Sequence, residues 1–228
     1  MSKEVSIMTK KIILDLCGGT GSWAKPFKDE GYDVRTLTLP GFNVNRWRED
    51  EEFVKLLQSN TVYGILAAPP CTMFSIARND KTAVEPRDLR YGMETVQACL
   101  DIVHECLYDP YRKSESNLKF WAIENPATGY LTRFMGKPAL IFDPSDYGDW
   151  HTKRTALWGI FNEPKKSTKV KTLTGDENNY IKSVEKYFDE KKHLIPEGYR
   201  EKTGLSMRTV VRSITPQGFA KAFYEANR

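Results

Sequence analysis

Two consecutive prolines, Pro69 and Pro70, stand behind the short apolar run Val62-Tyr63-Gly64-Ile65-Leu66. That run reads as a buried strand. Proline neither pairs in a central ladder nor continues a helix, so the chain has to leave the sheet there. The residue after the turn is a cysteine, in Ala67-Ala68-Pro69-Pro70-Cys71-Thr72-Met73-Phe74-Ser75. A rigid loop at the carboxyl end of a strand is where open α/β sheets place their chemistry. A free cysteine taken alone is more often a small buried hydrophobe than a nucleophile, so the rest of the chain has to decide.

The same grammar of strand, then loop, recurs along the sequence. Lys11-Ile12-Ile13-Leu14-Asp15-Leu16 predicts a strand running into Cys17-Gly18-Gly19-Thr20-Gly21-Ser22. The glycines permit positive φ and a close approach of backbone to a ligand. Residues 23–29 read as a helix, whose free N–H groups would open behind the turn. A strand, glycine turn and helix suit a nucleoside-containing ligand, and suit a plain structural turn equally. Residues 32–39 read as a second strand ended by Pro40-Gly41, and residues 51–57 as a short amphipathic helix. Residues 88–107 carry Leu89, Met93, Val96, Leu100, Val103 and Leu107 at helical spacing, which predicts a long helix with Cys99 and Cys106 in its core. A polar connection follows over 109–117. Residues 119–123 read as a strand that delivers Glu124-Asn125-Pro126 to the same edge as Cys71. Leu140-Ile141-Phe142 and residues 155–159 are further strands, and residues 216–227 a last helix folding back onto the sheet. Strands alternating with helices imply a parallel-dominated, three-layer α/β domain.

With 228 residues the chain can form one domain with a sizeable core and a small appendage. Residues 1–10 are polar and expected to fray, with Met8 available as a second start. Residues 160–205 change character: they are lysine-rich, aperiodic and punctuated by Pro164, Gly175, Pro196 and Gly198, which predicts a long irregular excursion. No apolar run is long enough to span a bilayer and no signal-peptide pattern is present. The four cysteines show neither C-x-x-C pairing nor zinc spacing, so they read as reduced thiols in a cytoplasmic protein without a metal site. The net charge of +4 is too small to demand a polyanionic partner; its distribution says more. Lys165, Lys166, Lys169 and Lys171 cluster near Lys153 and Arg154, as phosphate-gripping groups or as a solvated lysine-rich loop.

Three strand ends thus converge, offering a glycine turn, a thiol behind two prolines and a glutamate before a proline. Residues 146–155, Asp146-Tyr147-Gly148-Asp149-Trp150-His151-Thr152-Lys153-Arg154-Thr155, add a basic pair. Thiol, carboxylic acid and guanidinium suit covalent addition to an electron-poor ring: the thiolate attacks, the acid protonates the ring, and the cation holds an exocyclic oxygen.

At these residues the chain resembles the cytosine-5 DNA methyltransferase family. Asp15-Leu16-Cys17-Gly18-Gly19-Thr20-Gly21 is similar to its cofactor turn, residues 68–75 to its Pro-Cys loop, Glu124-Asn125-Pro126 to its Glu-Asn-Val motif, and Tyr147-Gly148 through Arg154 to its Tyr-Gly-x-Pro-Gln-x-Arg-x-Arg motif. The four occur in family order across 11–159, and Arg212-Ser213-Ile214-Thr215-Pro216-Gln217-Gly218-Phe219 loosely matches the final one. The resemblance implies a Rossmann-like methyltransferase core over 11–159, a reduced target-recognition segment over 160–205, and a return to the core over 206–228. It implies S-adenosylmethionine, or a modified sulfonium analogue, held by Cys17, Gly19, Thr20, Gly21, Ser22, Trp23, Thr38, Leu39, Asn43, Val44 and Pro69. It implies a base flipped out of the stack, with Cys71 as nucleophile, Glu124 on ring nitrogen 3 and the exocyclic amine, and Arg154 on the ring oxygen. Ser75, Asn125, Lys153 and the four clustered lysines would touch DNA.

The chain also departs from the family pattern. Cys17 replaces a phenylalanine, Thr72 a glutamine, and Thr38 and Asn43 stand where acids commonly bind ribose and adenine. The stretch before Arg154 is one residue short, so Arg154 is chosen over Lys153 by counting back from the strand. The expectation is a monomeric enzyme that methylates cytosine carbon 5 in double- or single-stranded DNA with relaxed or short sequence preference. The alternatives are the same chemistry on RNA, transfer of a group other than methyl, and a catalytically idle DNA-binding or decoy protein.

Overall fold

A computed structural model describes residues 10–76, 86–108, 114–149, 152–167 and 189–228. The expected fraying of residues 1–10 and the contacts of Lys169 and Lys171 fall on residues 1–9 and 168–188, outside the described residues. Six strands, β1 (Ile12–Leu16), β2 (Asp33–Leu37), β3 (Val62–Ala67), β4 (Phe120–Pro126), β5 (Leu140–Phe142) and β6 (Thr155–Ile160), form one sheet in the order β2-β1-β3-β4-β6-β5. Strands β1 to β4 run parallel, whereas β6 is antiparallel to both its neighbours. The sheet is therefore mixed, with three of its five pairings parallel and β6 the reversed strand. This α/β architecture is compatible with a Rossmann-like fold.

The strand order explains where a ligand can sit. From β1 the chain crosses to β2 on one side, then returns to β3 on the other. The crevice at such a reversal, outside the carboxyl ends of the two diverging strands, is open. Those ends carry the Cys17–Gly21 turn and the Pro-Pro-Cys loop.

Both faces of the sheet are covered. Ile12, Leu14 and Leu16 of β1 face one side with Ile65 of β3, beneath α2 (Glu51–Gln58) and α3 (Leu89–Leu107). Ile13 and Leu66 face the other, beneath α1 (Lys25–Asp29) and the C-terminal helix α7 (Gln217–Asn227). This two-sided burial is why β1 reads as an unbroken apolar run. Asp88 caps α3 by accepting a hydrogen bond from the Tyr91 N–H at 2.9 Å. Cys99 and Cys106 lie in its buried stripe. Trp23, Phe27, Phe120, Phe219 and Phe223 form a continuous aromatic cluster, with Trp23 edge-on to Phe223 at 5.4 Å between ring centres. Each such buried ring contributes roughly 2–3 kcal/mol by area.

Three expectations shift in detail. Helix α1 begins at Lys25, because residues 22–24 are spent on a turn and Pro26 sits at the helix start. Strand β4 runs on through Glu124-Asn125-Pro126, since β6 pairs with all three. Within the irregular 160–205 stretch a 3-10 turn at Lys192–Leu194 and the short helix α5 (Tyr199–Thr203) form. The further helices α4 (Thr132–Met135) and α6 (Met207–Ser213) carry too short a pattern to be read from sequence.

Candidate active site

The carboxyl ends of β1, β3 and β4 and the start of β6 share one edge of the sheet. Ala68 N–H donates to Leu16 O at 2.9 Å, which ties the Pro-Pro-Cys loop to β1. Asn125 is buried, and its Nδ2 donates to Pro69 O at 3.0 Å, which ties the same loop to β4. Pro126 pairs in register with Thr155, and Ala127 N–H donates to Arg154 O at 3.1 Å. The basic pair Lys153-Arg154 thus enters the edge from β6.

Cys71 is half-buried at the start of a tight turn, with Phe74 N–H and Ser75 N–H both donating to its carbonyl at 2.9 and 2.8 Å. Burial pushes its thiol up; Lys153 pulls it down, Glu124 pushes it up, and Arg212 pulls it down. All three charged side chains therefore lie within electrostatic reach of the sulfur. Lys153 Nζ stands 3.8 Å from Glu124 Oε1 and donates to Arg212 O at 3.0 Å. Both partners of the Lys153–Glu124 pair are only about a fifth exposed, at 22% and 21%, so salt screens them weakly. Arg154, by contrast, is exposed. Lys153, paired with Glu124, and Arg212 are the cations that act on Cys71.

The glycine turn has its own strained geometry. Cys17, Gly19 and Gly21 all have positive φ, of 54°, 57° and 73°. For Cys17, a residue with a Cβ, that conformation costs roughly 1–3 kcal/mol. A methyl group on Gly18 would overlap the Asp15 carboxylate. The Asp15 side chain is fully buried, accepting one long bond from Thr36 Oγ1 at 3.4 Å, and burial pushes its carboxyl up to about 7. Among the described residues, Asp15 Oδ1 and Thr20 Oγ1 are buried without a hydrogen-bond partner. Beyond β2, Thr38 is half-buried, while Leu39 is 62% exposed on the rim. Asn43 is exposed, and its Oδ1 accepts from Asn45 N–H at 3.1 Å to cap a 3-10 helix over Val44–Glu49.

Other residues expected to hold a cofactor have structural duties. Trp23 lies in the aromatic core, with no ring face left for a ligand. Ser22 Oγ accepts the Thr215 N–H at 2.7 Å, docking the C-terminal segment. Val44 is buried in the core beneath α2 and α3. Cys17 packs towards the same core. Of the clustered lysines, Lys165 is exposed, and Lys166 Nζ is 3.1 Å from Asp146 Oδ2, so part of its charge is answered within the chain.

The C-terminal segment brings groups that the sequence did not mark. The Tyr199 hydroxyl comes within 3.3 Å of where a Gly19 Cβ would stand, and Ser213 Oγ within 3.8 Å. Arg87, at the start of α3, donates to the carbonyls of Met73 and Ser75 in the turn after Cys71. Arg212 and Ser213 fall in the loosely matched final motif, which was their only sequence signal. Arg87 had none, since the carbonyls it holds leave no pattern in the sequence.

No family model and no curated protein matches the chain.

Proposed function

We propose that this protein is a cytosine-5 methyltransferase acting on DNA, built on a reduced methyltransferase sheet. The observation that carries the reading is the meeting of Cys71 with Glu124 and Lys153 at one sheet edge, one strand away from a strained glycine turn. S-adenosylmethionine suits that turn. Among the described residues, Thr20 Oγ1 and Asp15 Oδ1 are buried polar atoms without partners, and Leu39 offers an exposed apolar surface for a purine face. Gly19, Thr20, Gly21, Thr38, Leu39 and Asn43 would hold it, and it would supply an electrophilic methyl group.

The chain's own residues account for the rest of the chemistry. Cys71 loses its proton to solvent and its sulfur adds to carbon 6 of a flipped cytosine, while the electron pair moves to carbon 5. Glu124 gives a proton to ring nitrogen 3 and orients the exocyclic amine. Lys153, rather than Arg154, holds the ring oxygen and lowers the cost of the Cys71 thiolate. Once carbon 5 carries the new methyl group, its hydrogen leaves as a proton to solvent, the carbon–sulfur bond breaks to return the thiolate, and ring nitrogen 3 gives its proton back to Glu124.

The test is mass spectrometry of nucleosides from DNA incubated with protein and S-adenosylmethionine. The expected result is 5-methylcytosine with wild type and none with Cys71→Ser, together with covalent trapping of wild type by DNA containing 5-fluorocytosine. Neither product nor adduct would overturn the reading. Product on transfer RNA alone would move the activity to RNA.

A further inference from the structure

Three successive carbonyls follow the Cys71 turn, and each is taken by a donor from elsewhere in the chain. Arg87 donates from one guanidinium nitrogen to Met73 O, and from the other to Ser75 O at 3.0 Å. Between them, Phe74 O accepts the Tyr130 N–H at 2.8 Å. The Arg87 guanidinium also lies over the Tyr130 ring, 4.5 Å from its centre, and Arg133 lies over the same ring at 4.6 Å. Two glycines let this assembly close. A Cβ on Gly92 would meet Met73 Cβ at 2.8 Å, and one on Gly129 would meet Phe74 O at 3.0 Å. Phe74 itself is fully buried. The turn is thus fixed from α3 and from the residues after β4, while its first residue faces Glu124 and Lys153.

We propose that Arg87 is a positioning residue for the nucleophile: its two-pronged grip on Met73 O and Ser75 O holds the turn in the one conformation that aims Cys71 at the acid and the cation. This rests on Cys71 being the nucleophile. A guanidinium suits the task because its planar fork reaches two acceptors at once, whereas an ammonium is a point donor. Displacements of about 1 Å at a reacting atom cost on the order of a hundredfold in rate, so the grip matters without touching substrate. The charged groups that shift the Cys71 thiol most are Lys153, Glu124 and Arg212, whereas Arg87 grips the backbone of the turn. Its effect therefore runs through geometry.

The experiment compares full-length wild type, Arg87→Lys and Arg87→Ala by peptide-resolved iodoacetamide labelling against pH, and by methyl transfer to DNA. Freed of the grip, Cys71 becomes more exposed. In Arg87→Ala it should label roughly tenfold faster, while the buried Cys99 and Cys106 stay protected as reporters of an intact core. Because burial is the main cause of the raised Cys71 thiol, its labelling midpoint should move down in pH; loss of a nearby cation acting by charge would move it up. Turnover should fall at least about tenfold in kcat with little change in KM, and Arg87→Lys should stay impaired although it keeps the charge. A wild-type labelling rate, midpoint and kcat in Arg87→Ala would overturn the proposal, as would an upward midpoint or full rescue by lysine. The labelling arm stands without catalysis. Absence of a fluorocytosine adduct in wild type would sink the methyltransferase reading by itself, whatever Arg87 does to Cys71.

Discussion

Cys71 is kept as a thiol by its own burial, and the charges beside it act in opposite directions. Removing each charge should move the sulfur in a stated sense. Lys153→Ala deletes the strongest opposing cation, so the labelling midpoint of Cys71 should rise. Glu124→Gln deletes an anion that disfavours the thiolate, so the midpoint should fall even as methyl transfer is lost. Iodoacetamide rates measured across pH read both shifts without an activity assay, and shifts of the same sign in the two variants would refute the arrangement. The identity of the cation also marks how far the sequence reaches. Pro69-Pro70-Cys71 and Glu124-Asn125 were legible because prolines and strand ends leave a strong pattern. Lys153 against Arg154 was not, since two adjacent residues before a strand diverge in direction and only the pairing of Pro126 with Thr155 fixes which one turns to Glu124.

At the level of elements, the antiparallel insertion of β6 between β4 and β5 builds the site edge. It extends β4 through the polar residues Glu124 and Asn125, and it brings Lys153 in from the opposite direction. A sequence pattern shows that a strand exists, but not which neighbour it pairs with, so the mixed sheet and the length of β4 stayed hidden. The close approach of the two strands depends on Gly159, whose φ is 147° and whose place a Cβ could take only by overlapping Trp121 O. Gly159→Ala should therefore lower stability by about 2–4 kcal/mol through backbone strain and overlap together. Urea unfolding would read the loss as a lower midpoint at constant slope. An unchanged midpoint would mean that β6 does not lie so tightly on β4. The short helices α4, α5 and α6 escaped the sequence for a simpler reason: four to seven residues give no periodicity to detect.

Over the whole molecule, the described residues include no helix long and apolar enough to cross a membrane, and stability rests on a sheet covered on both faces. Against that background, one buried group works against the fold. Asp15 lies in the interior strand β1, fully buried; among the described residues its Oδ1 has no partner, and a 3.4 Å bond from Thr36 supports its charge. Its carboxyl is pushed up from 3.8 to about 7 by burial. The folded state therefore holds this proton more tightly than the unfolded chain. The stability this confers is complete below about pH 4, declines as pH rises from 4 to 7, and is gone above 7. Three pH units of difference correspond to about 4 kcal/mol as an order of magnitude. Asp15→Asn keeps the shape and removes the titration. The difference in unfolding free energy between the two proteins isolates Asp15 from Asp149, whose carboxyl burial also raises. That difference should be small at pH 4, should favour the asparagine variant increasingly up to pH 7, and should level off beyond. A variant less stable than wild type at pH 8, or a difference that does not change between pH 4 and 7, would show that Asp15 is ionised and well supported in the fold. The proposed cofactor site places its ligand beside this carboxyl. S-adenosylmethionine should accordingly raise the melting temperature of wild type more than that of Asp15→Asn.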